Sequence, residues 1–447
     1  MEDFQFRPSF IQLPPSTSFS GVVRVPGSKS ITNRAFLIAA LASGKTRLHN
    51  LLRSDDTRYM GEALQKLGVK IDFSEDFSEA TVYGNGGPVD APADASGNRI
   101  AELYLGNAGT AMRSLCAALT LGSGEFRLAG EERMSARPIR DLVDALRTLG
   151  AEIEYVETEG YPPVTIRAHG LEGGVVSVRG NISSQYLTAL LICAPYCRTP
   201  LKIRVEGDLI SEPYVAMTLS VMRRFGIDAA WPAGFPYEFD VPRSVYGTPG
   251  DFFVEGDASS ASYPLAAAAI SGGHVKVLGV GRNSIQGDIA FAEVLRQMGA
   301  EIIYGSENGE DFIECIGPKG ELTSLGDFNA IEIPDAAMTM AVLALFANAP
   351  TTIRGIASWR VKETDRIAAM AAELRKVGAE VRESNDSITI TPPDTLQPAT
   401  IETYNDHRMA MCFSLVSLGG VPIKIMDPAC VKKTYPHYFE DFAKFAK

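Results

Sequence analysis

Apolar positions three and four apart mark a series of amphipathic stretches, and most of these end on one recurring phrase. The phrase reads LQKLGVKI (64–71), LRTLGAEI (146–153), MRRFGIDA (222–229), LRQMGAEI (295–302) and LRKVGAEV (374–381). The spacing predicts helices that bury one face. Gly68, Gly150, Gly226, Gly299 and Gly378 fit left-handed C-caps, and the alternation after each glycine predicts a strand. A second series runs from a strand-like stretch through a small or polar turn into an apolar helix. It occurs at 25–38, 105–119, 178–191, 254–270, 333–346 and 404–415. Its markers Gly27, Gly106, Gly180, Gly256, Pro334 and Asn405 are 79, 74, 76, 78 and 71 positions apart. Six copies of a unit of about 75 residues therefore fill nearly the whole chain.

The sixth copy is short. Leu128, Val205 and Val277 precede a helix-ending glycine by 22, 21 and 22 positions, and the same count from Ile425 reaches the last residue, Lys447. The last unit thus lacks its trailing strand, and FIQLPPS (10–16) is expected to supply it. That brings both chain ends into one domain, 1–27 plus 256–447, with 28–255 inserted as a second domain of three units. The alternative is a tandem solenoid, but solenoid repeats run to roughly 20–45 residues, shorter than this unit.

Composition narrows the class without naming a chemistry. Apolar residues at 45% and charged residues at 21% describe an ordinary globular enzyme long enough for two or three domains. The start, MEDFQFRPSF, carries no basic segment leading into an apolar run, so a cytoplasmic protein is expected. The apolar run AAMTMAVLALFANA (336–349) is short for a bilayer and reads as a buried helix, so no membrane partner is expected. Six cysteines show no metal-like pairing and read as reduced core residues, with no metal site expected. With 42 Lys+Arg against 54 Asp+Glu, net −12, nucleic acid is disfavoured as a partner. A small anion is not, provided cations cluster locally.

They cluster at the six strand-to-helix turns. Helix starts expose unsatisfied N–H groups and carry partial positive charge, so several facing one gap make an anion trap. The turns hold Lys29 and Arg34; Asn107 and Arg113; Ser183, Ser184 and Gln185; and His407 and Arg408. Ser, Asn and Asp also cap helices for purely structural reasons, and capping alone explains any single turn as well. Two loops add cations: EERMSARPIRDL (131–142) with Arg133, Arg137 and Arg140, and WRVKETDRIAAM (359–370) with Arg360, Lys362, Glu363, Asp365 and Arg366. Lys432 and Lys433 follow in DPACVKKTYPHYF (427–439). A nucleotide P-loop fails, because GSKS has Val22 and SGKT has Ala39 where the first glycine is needed. His49, His169, His274 and His437 have no partner pattern and read as surface or structural.

The motifs PGSKSITNRA, LGNAGTAMR, SSQYLTALL, EGDASSASY, IPDAAMT, WRVKETDR and YNDHRMAM, in this order through all six repeats, resemble the 5-enolpyruvylshikimate-3-phosphate synthase family. The resemblance implies an α/β fold, a two-domain inside-out α/β barrel built from six βαβαββ repeats, three per domain, closing over the substrates. It implies transfer of the enolpyruvyl group of phosphoenolpyruvate to the 5-hydroxyl of shikimate 3-phosphate in the shikimate pathway, with no cofactor, by a monomer. By the same resemblance shikimate 3-phosphate is held by Lys29, Ser30, Arg34, Ser183, Ser184, Gln185, Ser211, Asp335 and Lys362. Phosphoenolpyruvate is held by Lys29, Asn107, Gly109, Arg137, Gln185, Arg366, Arg408 and Lys433. Asp335 is the implied base for the 5-hydroxyl, with Glu363 and Lys29 moving protons at C3 and His407 near them.

Two positions depart from the family pattern. Ser114 stands where proline usually follows GTAMR, and such a change is associated in the family with weaker inhibition by glyphosate, a mimic of phosphoenolpyruvate. Ser358 stands where some members carry Asn. The nearest rival is UDP-N-acetylglucosamine enolpyruvyl transferase, which shares fold and donor but typically uses a mobile-loop cysteine; none of the six cysteines here lies in such a loop. A non-catalytic anion-binding protein of the same fold would not need Asp335 and Glu363, and both are present.

Overall fold

The helices Lys29–Leu41, Gly109–Leu119 and Ser184–Cys193 carry apolar or small side chains on almost every side, and nearly every residue of each is buried. A helix apolar all round belongs inside. The computed structural model, which describes residues 4–230 and 237–447, places them so. The chain divides into two units, one made of the residues up to Pro26 with Glu255–Lys447, the other of Gly27–Val254. In the second, the three buried helices are joined by Asp55–Lys66, Arg140–Thr148 and Glu212–Arg224, each burying one face. The first unit repeats the plan with buried helices Ala258–Ser271, Ala337–Leu343 and His407–Ser414.

Sheets flank the buried helices, and among the described residues each unit has three of them. One pattern recurs: a parallel pair, then antiparallel partners. Ile100–Tyr104 runs parallel to Ser123–Ala129, which pairs antiparallel with Val164–His169, which pairs with Glu152–Tyr155. The strands alternate buried and exposed residues, so one face of each sheet covers the helices and the other meets solvent. The five phrase-ending glycines have φ of +89°, +96°, +84°, +104° and +104° at Gly68, Gly150, Gly226, Gly299 and Gly378. A side chain is disfavoured there, which is why the same residue closes each helix.

The strand closing the last sheet comes from the other end of the chain. Phe10–Leu13 pairs antiparallel with Ile423–Met426, Ile11 facing Ile425, and Ala399–Ile401 lies parallel on the far side. Strand membership also differs from the sequence order at both unit boundaries. Gly21–Arg24 leads into the helix Lys29–Leu41, yet pairs with His274–Leu278 in the unit of the chain ends. Asp251–Phe253 leads into Ala258–Ser271, yet pairs with Ser43–His49 in the inserted unit. Hydrophobic pattern assigns a strand to the helix that follows it; hydrogen bonding assigned these two elsewhere.

Candidate active site: an anion trap in each unit

In the unit of the chain ends, Asp335, Lys362, Glu363, Arg366, His407, Arg408 and Lys433 fall into one network. Asp335 lies between two arginines, 3.0 Å from Arg366 Nη1 and 2.8 Å from Arg408 Nη2, with Lys362 Nζ at 4.0 Å. Arg366 also donates to Glu363 at 2.9 Å and to Asp406 at 2.8 Å, and Lys433 is 3.5 Å from Glu363. His407 Nδ1 is 3.4 Å from Asp406, and Arg408 Nη1 reaches the Tyr263 hydroxyl at 3.2 Å. Four cations (Lys362, Arg366, Arg408, Lys433) face three carboxylates (Asp335, Glu363, Asp406), so the cluster carries surplus positive charge within a chain of net −12.

Backbone geometry aims these groups. Asp406 caps the helix His407–Ser414, its carboxylate accepting from Arg408 N at 3.0 Å, and Asp365 caps Arg366–Lys376. The Trp359 indole N–H donates to the Pro334 carbonyl at 2.6 Å, fixing the residue before Asp335. Burial pushes the Asp335 carboxyl up, but Arg408, Lys362 and Arg366 outweigh it and hold the group well below the usual carboxylate range. Burial works against the Arg366 charge too, and Asp406, Glu363 and Asp335 more than compensate.

In the inserted unit the first turns of the three buried helices are linked through side chains. Arg34 is 3% exposed and has neutral partners: Thr218 at 2.9 Å, Thr188 at 3.2 Å, and the carbonyls of Ser30 and Tyr214. Burial without a carboxylate pushes its pKa down to about 10. A guanidinium in that state is completed by an anion. Arg137 is buried, with Nη1 on the Asn107 side chain at 2.7 Å. A Cβ at Gly109 would meet the Arg137 guanidinium, so a side chain there would displace Arg137. Arg113 and the Tyr186 hydroxyl both donate to the Pro138 carbonyl, at 2.9 and 2.8 Å, tying the segment after Arg137 to the helix that begins at Ser184 and carries Gln185. Lys29 Nζ lies 3.6 Å from Asp56. Ser211 has φ +53° and makes no side-chain cap bond, a strained conformation of the kind that gathers at functional sites.

Comparison with known proteins identifies the family of the chain. The family model described as EPSP synthase (3-phosphoshikimate 1-carboxyvinyltransferase) matches residues 13–442. A 3-phosphoshikimate 1-carboxyvinyltransferase of Sulfurovum sp. is 55% identical over 431 residues, 96% of this chain and 97% of the relative. One of Photobacterium profundum is 54% identical over 440 residues, 98% of this chain and 99% of the relative. The chain belongs to the EPSP synthase family. An EPSP synthase structure from Acinetobacter baumannii superposes with a TM-score of 0.79 at 28% identity, covering 98% of each chain. An enolpyruvyl transferase from Streptomyces tendae, at 20% identity and a TM-score of 0.76, shares the fold.

Against the EPSP synthase pattern, each unit gathers its own share of the sequence-derived residues. Lys29, Ser30, Arg34, Asn107, Gly109, Arg137, Ser183, Ser184, Gln185 and Ser211 lie at helix starts or the loops beside them in the inserted unit. Asp335, Lys362, Glu363, Arg366, His407, Arg408 and Lys433 lie in the other. Capping accounts for part of Ser183, whose hydroxyl accepts from Gln185 N at 3.3 Å. Ser28, at the start of the first helix, makes no cap bond. Among the neighbouring loop arginines, Arg140 turns outward to Glu159 and Arg360 to Asp365. Sequence reasoning passed over Asp56, Asp406 and Tyr263; Asp406 stood inside the quoted YNDHRMAM, adjacent to two chosen residues.

His49 has two partners that sequence did not show, Glu79 at 2.9 Å, just before the strand Ala80–Asn85, and Asp251 at 2.7 Å in the strand Asp251–Phe253. Burial raises the thiols of Cys116 and Cys412 to about 12, and Cys430 is raised as well. These sulfurs are core thiols rather than nucleophiles. Among the described residues no cluster of His, Cys, Asp or Glu suits a metal ion, and no helix is long and apolar enough to cross a membrane.

Proposed function

We propose that this protein transfers the enolpyruvyl group of phosphoenolpyruvate to the 5-hydroxyl of shikimate 3-phosphate with release of phosphate, within the shikimate pathway. The observation that carries the reading is Asp335 bridged by Arg366 and Arg408, in a chain matched end to end by 3-phosphoshikimate 1-carboxyvinyltransferases. Both substrates are dianionic or more, and both clusters carry surplus positive charge. The reading assigns the inserted unit's Arg34, Ser183, Ser184, Gln185 and Ser211 to shikimate 3-phosphate, with Lys29, Asp335 and Lys362. Arg137, Asn107, Gly109, Gln185, Lys29, Arg366, Arg408 and Lys433 go to phosphoenolpyruvate. The proposal assigns residues of domain 1–27 plus 256–447 and of domain 28–255 to one substrate pair.

The chemistry is an addition and an elimination. The 5-hydroxyl oxygen bonds to C2 and gives its proton to Asp335, while C3 gains a proton and becomes a methyl. The methyl then loses a proton as the C2–O bond to phosphate breaks, restoring the double bond. In the resting protein Asp335 is a weak base, because two guanidiniums stabilise its charge. A donor anion that draws Arg366 and Arg408 to itself removes that stabilisation and raises the basicity of Asp335, so donor binding prepares the base. Glu363 and Lys29 are assigned the proton transfers at C3, with His407 beside them. The resemblance carries the rest of the proposal: a cytoplasmic monomer that needs no cofactor, with glyphosate taking the place of phosphoenolpyruvate.

A coupled phosphate-release assay tests this with two acceptors. Release from phosphoenolpyruvate is expected with shikimate 3-phosphate and not with UDP-N-acetylglucosamine. Release only with the nucleotide sugar, or none with either, overturns the proposal.

A further inference from the structure

One helix grips the turn that carries Asp406, His407 and Arg408 at two points. Arg366, at the start of Arg366–Lys376, holds the Asp406 carboxylate. Glu373 lies seven residues on, two turns along the same face, and is fully buried. Its carboxylate accepts from Glu402 N at 3.1 Å, from the Tyr404 hydroxyl at 2.7 Å and from Lys376 Nζ at 2.7 Å. Between the two grips the backbone is left-handed twice in succession, with φ +54° at Tyr404 and +53° at Asn405. A bulky aromatic residue is a poor occupant of that region, so the conformation lasts only where surrounding contacts impose it. Tyr404 is 44% exposed and has little packing of its own to do so. The Asp406 N–H closes the turn on the Thr403 carbonyl at 2.8 Å, and the Tyr404 hydroxyl bond to Glu373 is its side-chain tie.

We infer that Glu373 is a positioning residue: it imposes the left-handed Tyr404–Asn405 turn and thereby aims Asp406, His407 and Arg408. It touches no reacting atom. Release of the turn rotates the start of the helix His407–Ser414, so Arg408 moves off Asp335 and Asp406 loses its hold on Arg366. Both arginines are assigned to phosphoenolpyruvate, so the kinetic part of this inference rests on the proposed function. The structural part does not.

The test uses the full-length protein and three variants, Glu373→Gln, Tyr404→Phe and Glu373→Gln combined with Asn405→Gly. Gln keeps the size of the side chain but cannot serve all three donors, and Gly accepts the left-handed region without outside help. Hydrogen exchange across 402–411 is expected to quicken at least tenfold in Glu373→Gln and to slow again in the double variant. KM for phosphoenolpyruvate is expected to rise at least tenfold in Glu373→Gln, with KM for shikimate 3-phosphate within twofold, and to recover in part in the double variant. A fall in Tm with exchange and both KM values unchanged makes Glu373 a core residue only and overturns the inference. So does failure of Asn405→Gly to restore either readout. Exchange that follows the expected order in a protein inert towards both substrates supports the positioning role and counts against the proposed function instead.

Discussion

Arg34 shows how a residue proposed to bind substrate differs from a stabilising one at the scale of a single side chain. Its charge is buried among two hydroxyls and two carbonyls, so it is costly in the empty protein and valuable only when an anion arrives. Arg34→Met is expected to raise KM for shikimate 3-phosphate roughly 10- to 100-fold, the worth of a lost charged hydrogen bond. Thermal unfolding should show Tm unchanged or higher. Asp288 presents the reverse case. It is buried, bonded to Ser259, and raised to about 7 by desolvation and then by repulsion from Asp335. A carboxyl whose folded pKa exceeds its unfolded value, about 4, stabilises fully below that value. The contribution is then lost as pH climbs from about 4 to about 7. Asp288→Asn removes the titration, so the variant should gain stability over the parent at pH 8 and not at pH 4. Urea midpoints at the two pH values check the sign.

Single elements show which parts of the repeat are fixed by backbone chemistry. Gly226 has φ +84° and open space around the position of a Cβ, so only conformation opposes a side chain there. Gly226→Ala is expected to cost about 1–2 kcal/mol of unfolding free energy, with Gly226→Asn milder. Ser114 lies past the first turn of Gly109–Leu119, where its N–H belongs to the helical ladder. Proline there removes that bond and crowds the preceding turn, which carries Thr110 and, against Arg137, Gly109. Ser114→Pro is expected to strengthen inhibition by glyphosate while phosphoenolpyruvate is still used. Unchanged inhibition would separate residue 114 from glyphosate sensitivity. Helix ends were legible because a left-handed cap selects glycine and an N-cap selects Ser or Asp. The left-handed residues Ser211 and Tyr404 were not, because there tertiary contacts impose a conformation that the residue type does not favour.

For the whole molecule, the strand Phe10–Leu13 is the piece that joins the N-terminal end to the last sheet. Ile11 is fully buried opposite Ile425, so Ile11→Asp places an unpaired charge in that core. Its expected cost is about 3–5 kcal/mol, read as a lowered urea midpoint. The repeat length, the α/β class, the caps and most of the side chains proposed to bind anions could be read directly, because each depends on local spacing: 3.6-residue and two-residue periods, and polar residues at helix starts. The missing sixth strand was legible by counting. The domain bounds already left Gly21–Arg24 with the chain ends and Asp251–Phe253 with the inserted unit; which strand each pairs with was not legible, because the hydrogen bonds of an edge strand carry no residue code. The sequence by itself determined which cations and acids are available and that they sit at helix starts. Only tertiary structure decided that Asp335 lies between Arg366 and Arg408, that Asp406 completes the set, and that Glu373 stands beneath the turn beside it. Such pairings join residues tens of positions apart, and an ion pair is selected by distance in space, to which hydrophobic periodicity is blind.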